Sequence, residues 1–299
     1  MRGLKKYSNH ISAVVTVADG GGSTGELRKD FDMVAPGDIR RCIGALANNE
    51  ELFSSLLEYR FLKDKKSLGG HTLGNIWITA LTDYYGSFEK AIQVTSEIFQ
   101  TSGRVLPSTL DNVNLCVEYA DGTTLEGEHH LDEYVKKIKR VFFKKEVHGY
   151  KEAVEAITQA DLIIIGPGSL YGSLIPNLII GEVREAIVNN QNAVKVYVAN
   201  CSTERTQTKD YTIGDHIKAI EAHAGDGLFN YCLVNSKILK TSKDAGKLGE
   251  INNITTDEEV IGNVVIVKSD VVNTLNPLYH DSEKLAAAII ELYNQNKKR

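Results

Sequence analysis

Apolar, β-branched runs that do not alternate with polar residues recur at residues 11–17, 162–165, 194–199, 229–234 and 264–267. Runs of this kind belong to strands covered on both faces. Between them the apolar positions change to helical spacing. Ile213, Ile217, Ile220 and Ala224 make one stripe, and Ile180, Val183 and Ile187 another. Leu73, Ile76, Trp77, Ala80 and Leu81 make a third, with Thr72 placed to cap it, and Ser282 ahead of Leu285, Ala288, Ile289 and Leu292 predicts a capped helix near the end of the sequence. Strands alternating with helical crossovers predict an α/β fold built on a mainly parallel sheet.

One stretch follows a different period. Val113, Leu115, Val117 and Tyr119 are apolar at every second position and run into Asp121-Gly122, the pattern of a β-hairpin. With a further strand expected over 138–143, residues from about 104 to 148 form an insertion or edge extension on a single domain covering 1–299.

Composition narrows the function classes. The chain is 42% hydrophobic and 24% charged, as ordinary soluble globular proteins are, and carries a net charge of −5. The densest basic stretch, Lys136 to Lys145, is interrupted by Ile138, Val141, Phe142 and Phe143 and reads as a solvated face, so nucleic acid is not an expected partner. No apolar run is long enough to predict membrane insertion. Cys42, Cys116, Cys201 and Cys232 lie far apart with no Cys-x-x-Cys pair, which predicts reduced thiols in the cytoplasm. The eight histidines show no His-x-x-x-His spacing and His129-His130 reads as a polar loop, so no tightly bound transition metal is expected.

Candidate chemistry gathers in glycine-rich loops. The first runs Val17-Ala18-Asp19-Gly20-Gly21-Gly22-Ser23-Thr24-Gly25, where an apolar strand passes straight into glycines and hydroxyls. Glycines let backbone N–H groups approach an anion without Cβ clashes, and Ser23 or Thr24 can donate further hydrogen bonds, with Arg28 within reach. Asp19, at the strand end, can hold a hydroxyl, a ring nitrogen or Mg²⁺, or simply cap the loop. The spacing matches neither a Walker loop nor the dinucleotide fingerprint.

Three further elements accompany it. In Pro36-Gly37-Asp38-Ile39-Arg40, Asp38 reads as an N-cap and Arg40 lies off the Ile39/Cys42/Ile43/Leu46 stripe, free for a phosphate or for solvent. In Gly69-Gly70-His71-Thr72-Leu73-Gly74-Asn75, His71 and Asn75 lie one turn apart on a face away from the apolar stripe, where both can meet a ligand. In Leu162 to Tyr171, a second apolar strand ends in Gly166-Pro167-Gly168-Ser169, and Asn200 follows the next strand at the same edge. Two such loops on two strands of one sheet would flank a single crevice. Asp19 and His71 are the candidate catalytic groups, yet no Ser-His-Asp order or nucleophile elbow is recognisable, so the sequence points to binding more clearly than to bond breaking.

Taken together, VADGGGSTGELR, APGDIR, GGHTLGN, GRVLPST and GPGSLYGSLIPNLI, in this order, resemble the gluconeogenesis factor family (YvcK type) of the CofD-like superfamily over roughly residues 3–235. The resemblance implies a Rossmann-like three-layer α/β/α fold and a cytoplasmic UDP-sugar-binding protein that supports cell shape and growth on gluconeogenic carbon sources. It offers Asp19, Gly21, Gly22, Ser23, His71, Asn75, Gly166, Gly168 and Ser169 as ligand contacts. The related branch implies the alternative, a phospholactyl transferase joining 2-phospho-L-lactate to a deazaflavin alcohol with a divalent cation such as Mg²⁺. Gly20 stands where that branch resembles a carboxylate, which favours the binding reading, and self-association into a homo-oligomer is left open. The family also opens with a strand and a Gly-Gly-Gly-Thr-Gly loop, whereas this sequence opens at Met1-Arg2-Gly3-Leu4 within what resembles the following helix, so a phosphate site without that first loop is expected.

Overall fold

The computed structural model describes residues 1–64, 67–238 and 253–297. The first part of the chain forms β1 (Ser12–Val15), α1 (Gly22–Phe31), α2 (Gly37–Leu46), α3 (Glu50–Glu58), α4 (Leu73–Tyr85), α5 (Phe88–Ile98) and β2 (Arg104–Pro107). There follow β3 (Leu115–Tyr119), β4 (Thr124–Glu126), the single turn α6 (His130–Glu133), β5 (Ile138–Phe143), α7 (Lys151–Thr158) and β6 (Leu162–Ile165). A π-helical turn (Leu170–Leu174) then leads to α8 (Ile175–Leu178), α9 (Gly181–Asn189), β7 (Val194–Val198), α10 (Ile213–Ala224), β8 (Tyr231–Asn235), β9 (Val260–Ile261), β10 (Val264–Ser269) and α11 (Ser282–Asn296).

The order β6-β7-β8-β10-β9 makes a sheet that is parallel except for the short β9. Its side chains alternate between two cores. Ile163, Ile165, Tyr197 and Cys232 pack with Val183 and Ile187 of α9 and Ile213, Ile217 and Ile220 of α10. Leu162, Ile164, Val196, Val198 and Leu233 pack with Ile289 and Leu292 of α11. Each central strand is therefore covered on both faces, which is why its sequence shows no polar alternation and why the layers run helix, sheet, helix.

β1 and β2 pair in parallel as a separate ladder, with Val15, Val17 and Val105 packed on Ile39, Ile43, Leu46, Ile78 and Ile92. Among the described residues β1 pairs with β2 and β6 with β7, so the two glycine loops leave strands of different hydrogen-bonded sheets and not of one sheet. Periodicity specifies that a segment is a buried strand but not which edge it pairs with, and the single-sheet expectation fails on that point.

β4-β3-β5 form an antiparallel sheet, closed at Asp121-Gly122 by a turn in which Gly122 has φ +86°. Arg104–Pro107, at the start of the expected extension, belongs instead to the β1 ladder, and the antiparallel strands begin at Leu115. The basic residues of this region form ion pairs on the surface: Lys139 and Arg140 with Glu118, Lys136 with Asp121 and Lys144 with Glu126.

Three local expectations are corrected. Pro36, not Asp38, caps α2, and Asp38 pairs with Arg41 at 3.0 Å. Asp281, not Ser282, caps α11 by accepting from the N–H groups of Glu283 and Lys284. In α4 the fully buried face is Gly74, Asn75, Ile78 and Thr79, while Leu73, Ile76, Trp77 and Leu81 are half-buried and Ala80 is exposed. Trp77 instead packs sideways on Phe99, donating from Nε1 to Thr95 Oγ1 at 3.2 Å, and the innermost side of α4 faces a buried arginine. An apolar count cannot anticipate a polar core of that kind.

Candidate functional site

The first loop follows β1 through the buried Val17 and Ala18. Asp19 Oδ1 accepts from the Gly21 N–H at 2.8 Å, and the Asp19 carbonyl accepts from Arg28 Nη1 at 2.9 Å. Arg28 continues to Asn112 Oδ1 at 2.7 Å and the Val113 carbonyl at 2.9 Å, so it ties the loop to the start of the antiparallel sheet and does not reach into the anion position. Gly21 caps α1, whose first helical bond runs from the Gly25 N–H to the Gly21 carbonyl at 3.2 Å. The N–H groups of Gly22, Ser23 and Thr24 therefore lie ahead of any helical acceptor, at the positive end of the helix dipole.

Beneath this helix end lies a buried polar network. Arg40, only 2% exposed, pairs through Nη2 with both Glu58 carboxylate oxygens at 3.0 Å and through Nη1 with Asn75 Oδ1 at 2.9 Å and Thr72 Oγ1 at 2.5 Å. Both terminal nitrogens are engaged within the protein and the side chain is buried, so it is neither solvated nor open to a phosphate, and its place in the site is to hold Asn75. Asn75 Nδ2 in turn donates to Ser23 Oγ and Thr24 Oγ1, each at 3.3 Å, and Ser23 Oγ lies 2.9 Å from His71 Nδ1. His71 and Asn75, expected to share a face toward a ligand, both meet Ser23 of the first loop. Gly74 is what lets Arg40 pass under α4, because a Cβ there would fall 2.5 Å from Arg40 Cδ.

The second loop follows β6. Gly166 has φ +86°, in the region that favours glycine, and Ser169 caps the π-helical turn by accepting from the Gly172 N–H. Asn200, just past β7, clamps Gly168 from both sides, accepting from its N–H at 3.3 Å and donating to its carbonyl at 2.9 Å. Ser169 Oγ donates to Gln207 Oε1 at 2.7 Å.

Sequence reasoning missed the segment that joins the loops. Residues 127–132 lie between them: Gly21 sits against His129, and a Cβ on Gly172 would come within 2.7 Å of Glu128 Oε1. Asp132 accepts from Gln207 Nε2 at 3.3 Å, which links this segment to Ser169. Burial, aided by the charges of Asp19, Asp132 and Asp38, pushes the Glu128 carboxyl up to about 8. Burial and Asp132 push Glu204, on the Ser169 side, up to about 7, and burial also raises Asp38. The only sequence signal was Gly127, which takes φ +125°, ahead of a stretch that otherwise reads as a polar loop. One surface concavity, lined by Phe31, Met33, Thr82 and Phe88, lies away from the loops, and another, lined by Arg41, Ser54, Arg40 and Glu58, opens at the outer end of the arginine network. No helix among the described residues is long and apolar enough to cross a membrane.

A buried strand that enters a glycine-hydroxyl loop and then a helical turn, seen both after β1 and after β6, defines an α/β protein of the Rossmann-like type. Residues 1–272 match the family model described as 2-phospho-L-lactate transferase CofD, and the chain belongs to this family. Within it, the chain is 41% identical to a putative gluconeogenesis factor of Aquifex aeolicus, over 98% of this chain and 92% of that protein. It is 37% identical to the gluconeogenesis factor of Bacillus subtilis, over 99% of this chain and 94% of that protein. The crystal structure of a UPF0052 family member from Bacillus halodurans superposes with a TM-score of 0.89 at 37% identity, over 97% of this chain and 93% of that one.

Proposed function

We propose that the chain is a nucleotide-sugar-binding regulatory protein of the gluconeogenesis factor type, and that its ligand is a UDP-sugar. The amides of Gly22, Ser23 and Thr24 take one phosphate of the diphosphate, and the loop of Gly166, Gly168 and Ser169, held by Asn200, takes the other. The observation that carries this reading is that both loops border the same 127–132 segment, Gly21 against His129 and Gly172 against Glu128. A protonated Glu128 suits such a ligand, because a neutral carboxyl donates a hydrogen bond to phosphate where a carboxylate would repel it. In this role the protein works in the cytoplasm and supports cell shape and growth on gluconeogenic carbon sources; the relatives' names, gluconeogenesis factor, support the gluconeogenic part of the reading.

Isothermal titration with UDP-N-acetylglucosamine tests the reading. Saturable heat, with a ligand-dependent rise in melting temperature, is expected. No heat and no shift with any UDP-sugar would overturn it. The family model favours a second reading, transfer of 2-phospho-L-lactate to a deazaflavin alcohol, in which a hard cation such as Mg²⁺ would take an oxygen donor from Asp19. Product formed from a dinucleotide-type phospholactate donor, the deazaflavin acceptor and Mg²⁺ would establish it; a blank reaction would dismiss it.

A further inference from the structure

Ser23 Oγ lies 2.9 Å from His71 Nδ1, and His71 Nε2 lies 3.4 Å from Glu26 Oε2. The far end of the same network orients the Asn75 amide. Arg40 carries only donors, so its 2.9 Å contact fixes Asn75 Oδ1 toward Arg40 and leaves the Asn75 NH₂ facing Ser23 and Thr24. Ser23 accepts from Asn75 through one of its two lone pairs, which leaves its O–H available. The tautomer is set at the other end of the ring: the Glu26 carboxylate carries no proton to give and takes the Nε2–H, so in the neutral ring Nδ1 is the acceptor for the Ser23 O–H. Carboxylate, imidazole and hydroxyl follow one another in the order in which a nucleophilic hydroxyl is activated, and this arrangement is assembled from α1 and the turn before α4, so no linear motif announces it.

The surroundings suit an anionic reaction centre. Ser23 is half-buried beside the exposed Gly22, so a reagent can approach from solvent. The first-turn amides of α1 project from the same helix end and can take the negative charge that develops on an attacked phosphoryl group. His71 is largely sequestered, with 13% of its side chain exposed, and Ser23 and Glu26 occupy its two ring nitrogens.

We infer that Ser23 is a nucleophile toward electrophilic phosphorus, with His71 as its general base and Glu26 as the residue that positions the ring. In the step, Ser23 Oγ forms a bond to phosphorus, the bond from phosphorus to its leaving group breaks with the electron pair going to that group, and the Ser23 proton passes to His71 Nδ1. The products are a serine phospho- or phosphonoester and the free leaving-group anion. The inference stands on the Ser23, His71 and Asn75 geometry and not on the nucleotide-sugar reading, and its test contains no nucleotide, so each can fail without the other.

The test treats the full chain with an alkyl fluorophosphonate, whose leaving group is fluoride, and reads intact mass and peptide maps. One adduct on Ser23 is expected. His71→Ala should slow its formation by about 100-fold, within the usual span of general-base effects, and added imidazole should recover part of the rate. Glu26→Gln should slow it by roughly 10-fold without a change in melting temperature and without recovery by imidazole. No adduct on Ser23 of the unmodified sequence, or an adduct formed at an equal rate in His71→Ala, overturns the inference. Because the adduct is mapped first on the wild-type chain, its absence there overturns the inference whether or not a variant folds.

Discussion

Replacing Glu128 with Gln tests the electrostatics of the crevice directly. Burial and the neighbouring Asp19, Asp132 and Asp38 raise the Glu128 carboxyl from an ordinary 4.5 to about 8. A carboxyl raised in the folded state binds its proton more tightly there than in the unfolded chain. Its contribution to stability is therefore complete below the ordinary value, falls as pH rises toward the folded value, and is level above it. The slope for one proton is about 1.4 kcal/mol per pH unit, so between pH 5.5 and 7.5 the wild type should lose at most about 2.7 kcal/mol on this account. Glu128 keeps some solvent contact, and screening reduces the loss to roughly 1–2.5 kcal/mol. Glu128→Gln keeps the shape and remains neutral, while Glu204 and every other group titrate in both proteins and cancel in the difference. Urea unfolding of both proteins at the two pH values should show the variant gaining that amount relative to the wild type as pH rises. A difference that stays constant with pH would mean that Glu128 ionises normally and that the crevice does not favour its protonated form.

Other perturbations probe the frame around the loops. Gly74→Ala places a Cβ 2.5 Å from Arg40 Cδ and 2.8 Å from Leu57 Cδ2, and should cost roughly 1–3 kcal/mol in chemical unfolding; an unchanged midpoint would show that Arg40 is not confined. Thr72→Ala removes both the cap of α4 and an acceptor for Arg40, and a loss of about 1–2 kcal/mol is expected by the same measurement. Asn200→Ala frees Gly168, which Asn200 holds through both its N–H and its carbonyl, and should weaken UDP-sugar binding by about 10-fold in calorimetry, on the scale of one or two lost hydrogen bonds. Wild-type affinity in that variant would remove the second loop from the binding account.

How much of this was legible in the sequence follows from what local patterns encode. The strands around Ile163, Val196 and Leu233 were visible because continuous apolar runs report burial on both faces, and the hairpin at Asp121-Gly122 because its turn chemistry is local. The pairing of β1 with β2, and not with a strand of the larger sheet, was not visible, since edge choice is decided by tertiary packing. Ser23, His71 and Asn75 were found by glycine context and helical spacing. Arg40 was misjudged because an off-stripe arginine normally meets solvent, whereas here Glu58, from the end of α3, covers it. The same holds for Glu128 and Glu204: burial moves a carboxyl far from its ordinary range, yet nothing local in the sequence marks that burial.

The central claim is that the backbone amides of two loops grip one phosphorylated ligand. Hydrogen–deuterium exchange with and without UDP-N-acetylglucosamine measures those amides themselves. Protection of residues 21–25 and 166–172 that rises together, with the same ligand concentration dependence, is the expected result. Protection of one loop alone, or of neither when the ligand is demonstrably bound, would contradict it.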